Sequence, residues 1–284
     1  MIVLACFYFM IGVCIGSFSN VLIYRLPEGE SINFPASHCL SCQTPLKWYH
    51  NIPLFSWAFL GGKCAFCKAK ISIQYPLVEL TCGVIMLLCY HTEVSDFSNY
   101  TELFKALMIG IVFILMLAMS ITDFRYTAAP SSLLYASVVF SLLYALSVEK
   151  TLVALAFGAG FVVLAFVMKK VLKKEALGEA DIYIFACMGA ILGAKLGFFA
   201  IFIGAVLTLP AYAIAGAILK NRVKNETKNL ENLTELEKAK IERYSANSIN
   251  EFQMPFIPFL AMGLFLVYLF QDESIEFLKF IMGI

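Results

Sequence analysis

Apolar runs of about the length needed to cross a bilayer recur along the whole chain, and this restricts its fold more than any motif does. They fall near 1–24, 77–91, 103–121, 132–148, 151–168, 182–194, 196–218 and 255–271, each closed by polar residues. A hydrocarbon core of ~30 Å takes about 20 helical residues, and helices satisfy their own backbone groups there. The expected fold is therefore an all-α polytopic membrane protein of about eight transmembrane helices. The sixth run is short, and is expected either to begin nearer Glu179 or to cross a locally thinned region. Composition agrees: 61% of the 284 residues are hydrophobic and 14% charged, against roughly 45–50% and about 25% in soluble domains. The first run lacks a basic segment and a small-x-small cleavage site, so it reads as a retained span rather than a signal peptide. A net charge of +1 offers no basic excess, and no nucleic-acid partner is expected.

The basic residues orient this stack. With the first run crossing from outside to inside, seventeen of the 21 Lys and Arg residues fall on the inner side and only Lys105, Lys150, Lys195 and Lys279 on the other. Cytoplasmic loops carry such an excess, so the polar segments after the first, third, fifth and seventh runs are expected to face the cytoplasm. Of these, 221–253 is the longest, and Leu230, Leu233, Leu236 and Ile241 mark one face of a short amphipathic helix within it. Glycines at small-xxx-small spacing (Gly12 and Gly16; Gly189, Gly193 and Gly197) are expected to let helices pack closely in lipid.

Five of the nine cysteines lie in apolar runs, whereas Cys39, Cys42, Cys64 and Cys67 form two C-x-x-C hooks in the first polar loop, 21 residues apart. Two thiolates at i and i+3 reach one ion when the backbone turns tightly, and two hooks complete a closed tetrahedral sulfur site. Soft thiolates favour Zn²⁺ over Mg²⁺ or Ca²⁺, with iron the chemical alternative. With no open ligand position, such a metal is structural, folding a loop too small to hold a core of its own.

Carboxylates at membrane edges mark function by default. Asp123 closes the third run and Asp181 opens the sixth, which puts both at similar depth on one side. Two carboxylates a few ångströms apart share a proton, and together they activate water and protonate a leaving group. The pattern equally allows Asp181 to cap the helix that follows and Asp123 to pair with Arg125 in solvent. Glu79, Glu175 and Glu179 are weaker competitors. The three histidines show no H-E-x-x-H spacing and no G-x-S-x-G elbow occurs, so zinc-hydrolase and serine schemes find no residues.

These residues together resemble the type IV prepilin peptidase family, also called leader peptidase and N-methyltransferase. The likeness starts in Gly16-Ser17-Phe18-Ser19-Asn20 with Tyr24-Arg25-Leu26-Pro27, then takes in the four cysteines with Asn51-Ile52-Pro53 and Ser56-Trp57. It goes on through Tyr75-Pro76-Leu77-Val78-Glu79-Leu80, Asp123, Gly178-Glu179-Ala180-Asp181, Met188-Gly189-Ala190 and Pro255-Phe256-Ile257-Pro258-Phe259. The resemblance implies an inner-membrane aspartyl endopeptidase that cleaves the basic leaders of prepilins or pseudopilins at the cytoplasmic face. It implies Asp123 and Asp181 as the catalytic pair and the four cysteines as zinc ligands. It further implies methylation of the new N-terminus from S-adenosylmethionine, although no glycine-rich nucleotide fingerprint assigns a site for that donor. The implied layout is a first span at 1–24, a zinc loop at 25–76 and a membrane peptidase domain at 77–284 with a cytoplasmic loop at 219–254. The sequence departs from the family's Gly-x-Gly-Asp at Ala180, from Pro-Phe-Gly-Pro at Ile257, and at Thr127-Ala128-Ala129-Pro130, which lacks the usual polar residue after proline. The competing readings are a catalytically silent scaffold with a zinc loop in a pilus, secretion or DNA-uptake assembly, and a transporter whose aspartates relay protons.

Overall fold

The computed structural model describes residues 2–172, 178–228 and 255–282. The amphipathic face expected within 221–253, at Leu230, Leu233, Leu236 and Ile241, lies outside the described residues, as does Glu175. The described chain is helical, with two isolated antiparallel bridges, His38 to Pro45 and Lys63 to Lys70, in place of any sheet. Its helices are α1 (Ile2–Arg25), the short α2 (Phe55–Phe59), α3 (Gln74–Glu93), α4 (Tyr100–Tyr126), α5 (Ser131–Ala145), α6 (Val148–Leu172), α7 (Glu179–Lys228), α8 (Ile257–Leu269) and α9 (Gln271–Met282).

By length and apolarity five of the described helices can cross a membrane: α1, α3, α4, α6 as far as Val171, and α7 over Glu179–Ile218; α5 and α8 are apolar but shorter. The sixth and seventh runs of the sequence thus lie in one element, which breaks inside. Gly193 adopts φ 74° and ψ −173°, a backbone region essentially reserved for glycine. Beyond it the chain turns back. A Cβ on Gly197 would stand 3.6 Å from the Met188 carbonyl, and Gly204 lies against Phe259 and Leu260. Thr208, Leu209 and Tyr212 finally share a groove with Pro255 and Phe256. The small-residue spacing expected to pack Gly189, Gly193 and Gly197 together is therefore corrected at its centre. Gly189 meets α6 and Gly197 meets Phe157, but a Cβ on Gly193 would meet nothing within 4 Å, so this glycine serves the turn.

Close approach is needed instead between α1 and α3. A Cβ on Gly12 would lie 2.5 Å from the Cys82 carbonyl oxygen and one on Gly16 2.9 Å from the Glu79 Cα, distances only glycine permits. Behind this pair Met86, Ile109, Met116, Met119, Ile184, Phe185, Met188 and Leu260 form the buried centre of the bundle. At the end opposite Asp123, the Glu93 carboxylate accepts the hydroxyls of Tyr144 at 2.8 Å and Tyr268 at 2.9 Å, tying the last turns of α3, α5 and α8. Beyond α8 lies α9, for which the sequence reading makes no provision. Its Asp272 and Glu273 open the helix and its apolar Phe277, Phe280 and Ile281 are exposed.

Candidate active site

Local rules place both aspartates at helix ends. Asn99 caps α4 by accepting the Thr101 N–H at 3.0 Å, and 27 residues later the helix closes at Thr127, whose left-handed φ of 48° returns its N–H to the Asp123 carbonyl at 2.9 Å. Asp123 therefore sits in the last turn of α4. Asp181 sits in the first turn of α7, where one carboxylate oxygen accepts the Gly178 N–H at 3.1 Å, the reciprocal arm of a capping box. It is 6% exposed.

The third element is α8, whose start is set by Pro258 at its first turn. The Ile257 N–H, at this helix terminus, donates to Asp123 Oδ2 at 3.3 Å. A helix N-terminus presents unpaired N–H groups and a partial positive charge, so it holds Asp123 in place by main chain rather than by a basic side chain. Asp181 lies at the same end of the bundle, where Tyr183 of α7 packs against Tyr135 of α5 with ring centres 5.4 Å apart. Arg125 is drawn elsewhere: its guanidinium donates to Gln74 Oε1 and lies 5.1 Å from the centre of the Tyr24 ring, which itself stacks on Tyr75.

Both departures around the aspartates are accommodated. Ala180 lies within the first turn of α7 and is not among the residues with positive φ, so the place that the family gives to glycine needs no glycine here. Ile257 is 4% exposed, its side chain packed in the core while only its backbone faces Asp123. Glu179 is exposed at the start of α7. Glu79, one of the weaker carboxylate candidates, is buried and turns toward the polar loop, where its Oε2 accepts the Leu54 N–H at 2.7 Å.

The four cysteines converge from two hooks of the same design. In the first, Cys39 N–H reaches the Thr44 carbonyl and Gln43 N–H returns to the Cys39 carbonyl; in the second, Cys64 reaches Ala69 and Lys68 returns to Cys64. Gln43 and Lys68, each just after the second cysteine of its hook, take positive φ of 57° and 62°. All four sulfurs lie within 4.8 Å of one another, and Cys39 and Cys67 are 3.8 Å apart. A tetrahedral ion with metal–sulfur bonds of ~2.3 Å sets its ligands about 3.8 Å from each other. The donor set thus fits a metal ion. The Thr44 hydroxyl pulls the Cys42 thiol down to about 6, favouring the thiolate that a metal needs. Cys67, the most exposed of the four, is by contrast pushed up to about 11, by partial desolvation within the cluster and by its sulfur neighbours.

The sequence reading missed the backbone donor at Ile257. Its trace was the Pro-Phe-Ile-Pro string before an apolar run, a helix start whose target no string can name.

Comparison with known proteins identifies the family. The profile of the bacterial peptidase A24 N-terminal domain matches residues 10–92, and that of the type IV leader peptidase family matches 110–213. The first range contains the four cysteines, the second both aspartates. A prepilin leader peptidase/N-methyltransferase of Myxococcus xanthus is 36% identical over 194 residues, covering 66% of this chain but 56% of that protein, so the chain spans little more than half of that relative. A protein of the same name from Neisseria gonorrhoeae is 30% identical over 240 residues, covering 75% of this chain and 82% of its own. The Bacillus subtilis counterpart is 29% identical over 279 residues, 95% of both chains. No solved structure matches the chain. With both profiles in chain order and relatives covered over most of their length, the chain belongs to the type IV leader peptidase family.

Proposed function

We propose that this protein is a membrane aspartyl endopeptidase that removes the leader peptides of type IV prepilins or pseudopilins. The observation that carries the reading is the placement of Asp123 and Asp181 at helix ends on one side of the bundle, with Asp123 held by the N-terminus of α8. A carboxylate pair of this kind titrates as a unit and keeps one proton between its members. The ionised member takes a proton from water as the water oxygen bonds to the scissile carbonyl carbon, and the protonated member gives its proton to the carbonyl oxygen. Collapse of that adduct breaks the C–N bond as the amine leaves protonated. The Ile257 N–H from α8 keeps Asp123 oriented without a cation that would hold it permanently ionised.

The reading extends to placement. The end of the bundle bearing the aspartates also bears Arg25, Arg125 and the basic four-cysteine loop, and a positive excess of this kind supports a cytoplasmic setting at the inner membrane. An epitope inserted at exposed Phe34 is then stained only after permeabilisation, and one at exposed Phe97, in the α3–α4 connection, on intact spheroplasts. The four-thiolate set favours Zn²⁺ in a structural role, because no ligand position is left for substrate.

The relatives' name couples leader cleavage to N-methylation. The cavity between α1 and α3, lined by Phe9, Met10, Leu87 and Tyr90, is apolar and lies away from the aspartates, so it does not suit the charged methyl donor S-adenosylmethionine. Mass spectrometry of the mature pilin N-terminus decides whether the methyl group is added.

The deciding experiment is cleavage of a prepilin by the purified protein and by its Asp123→Asn and Asp181→Asn variants. Each substitution is expected to lower kcat by about 10³-fold or more with an unchanged fold. Full cleavage by either well-folded variant rejects the mechanism; binding of prepilin without turnover by the wild type supports the silent scaffold instead.

A further inference from the structure

A buried carboxylate outside the aspartate pair has a task of its own. Glu79 lies in the second turn of α3, 7% exposed, in a helix otherwise fit to cross lipid. Burying a carboxylate in such surroundings costs several kcal/mol unless hydrogen bonds replace its water. The Leu54 N–H does so, 2.7 Å from Glu79 Oε2. Behind the side chain α1 presses so close that a Cβ on Gly16 would stand 2.9 Å from the Glu79 Cα, which leaves the carboxylate facing the loop. One turn nearer the surface the Asn20 amide donates to the Tyr75 carbonyl, locking the same two helices.

Leu54 lies between the two cysteine hooks and opens α2 at φ 62° and ψ −52°, a conformation that costs a non-glycine residue about 1–3 kcal/mol and persists only where its surroundings fix it. The bond to Glu79 is such a fixture. Five residues before Glu79, Gln74 accepts the guanidinium of Arg125, two residues beyond Asp123. The first two turns of α3 therefore hold the metal-binding loop by one side chain and the Asp123 end of α4 by another.

We propose that Glu79 is a positioning residue. It seats the four-cysteine loop on α1 and α3 in register with Asp123, and the seated loop presents the substrate leader to the carboxylate pair. The second clause rests on the peptidase reading; the seat itself does not.

The test uses the full-length protein in bilayers, with Glu79→Ala, Glu79→Gln and Glu79→Asp. The first readout is the rate of limited proteolysis within residues 26–73 at full metal content. Glu79→Ala is expected to speed it about 10-fold, as the loss of a charge-assisted hydrogen bond implies. Glu79→Gln keeps an oxygen to accept the Leu54 N–H and is expected to stay within about 3-fold of wild type. The second readout is prepilin cleavage, in which Glu79→Ala is expected to raise KM about 10-fold with kcat within about 3-fold, again rescued by glutamine. Wild-type digestion of Glu79→Ala overturns the seat, and Glu79→Gln as impaired as Glu79→Ala overturns its hydrogen-bonded nature. A fall in kcat without a change in KM overturns the presentation of substrate. Where Glu79→Ala does not accumulate, Glu79→Asp decides, because it keeps the carboxylate but shortens its reach to the Leu54 N–H: digestion about 3-fold faster supports the seat and an unchanged rate rejects it. Proteolysis reads the loop without catalysis, so its result stands even where the aspartate variants reject the peptidase.

Discussion

At the residue scale, the site depends on backbone donors more than on its side-chain neighbours. Gly178 N–H serves Asp181 and Ile257 N–H serves Asp123, so replacing the side chains at the family's glycine places leaves those bonds in position. Ala180 illustrates this. It sits in a helical turn at ordinary φ, where glycine would add freedom to the unfolded chain without relieving strain. Ala180→Gly is therefore expected to leave cleavage within a few-fold and to lower stability by about 0.5–1 kcal/mol, read as a small drop in melting temperature. A large gain in cleavage from this substitution would mean that alanine holds Asp181 away from its working position.

At the element scale, the break in α7 brings distant chain together. Asp181 opens the first half, and after Gly193 the second half returns to lie along α8, with a Cβ on Gly263 falling 2.5 Å from the Ala200 carbonyl. That packing fixes α8, and α8 carries the donor to Asp123. Since φ 74° with ψ −173° is closed to residues with a Cβ, Gly193→Ala is expected to cost about 1–3 kcal/mol although the added methyl meets no neighbour. Thermal unfolding in detergent measures it. An unaltered midpoint would show that the turn tolerates another backbone path. The apolar pattern reads as two spans with Lys195 between them, which already implies a reversal; that Gly193 makes it within a helix is decided by the fold.

At the scale of the whole molecule, a lipid-embedded bundle and a small polar loop are stabilised by different physics. The bundle packs through glycines and apolar side chains, whereas the loop of residues 26–73 has little core, and Cys64 alone of its apolar residues is buried. Metal binding to the four thiolates, on the proposed reading, would then supply much of its folding free energy. Stripping the metal with a chelator is expected to open residues 26–73 to protease at least 10-fold faster while the helix content of the bundle changes little; Cys64→Ser is expected to act the same way. Elemental analysis should find one zinc per chain. A loop equally resistant without metal would assign the sulfur cluster a role other than folding.

Much of this arrangement follows from the sequence alone. Apolar runs dictate helices because hydrocarbon offers the backbone no hydrogen bonds, and the two C-x-x-C hooks dictate their cluster because a tight turn aims both thiols one way. Both aspartates are legible as charges at helix ends, since ionised groups avoid lipid. What joins them is not legible. The use of Gly193 to make the return, the aim of the Ile257 N–H at Asp123 across 134 positions, and the grip of Glu79 on Leu54 are tertiary choices. A residue's type states which bonds it must make, and only the packed fold decides with whom it makes them.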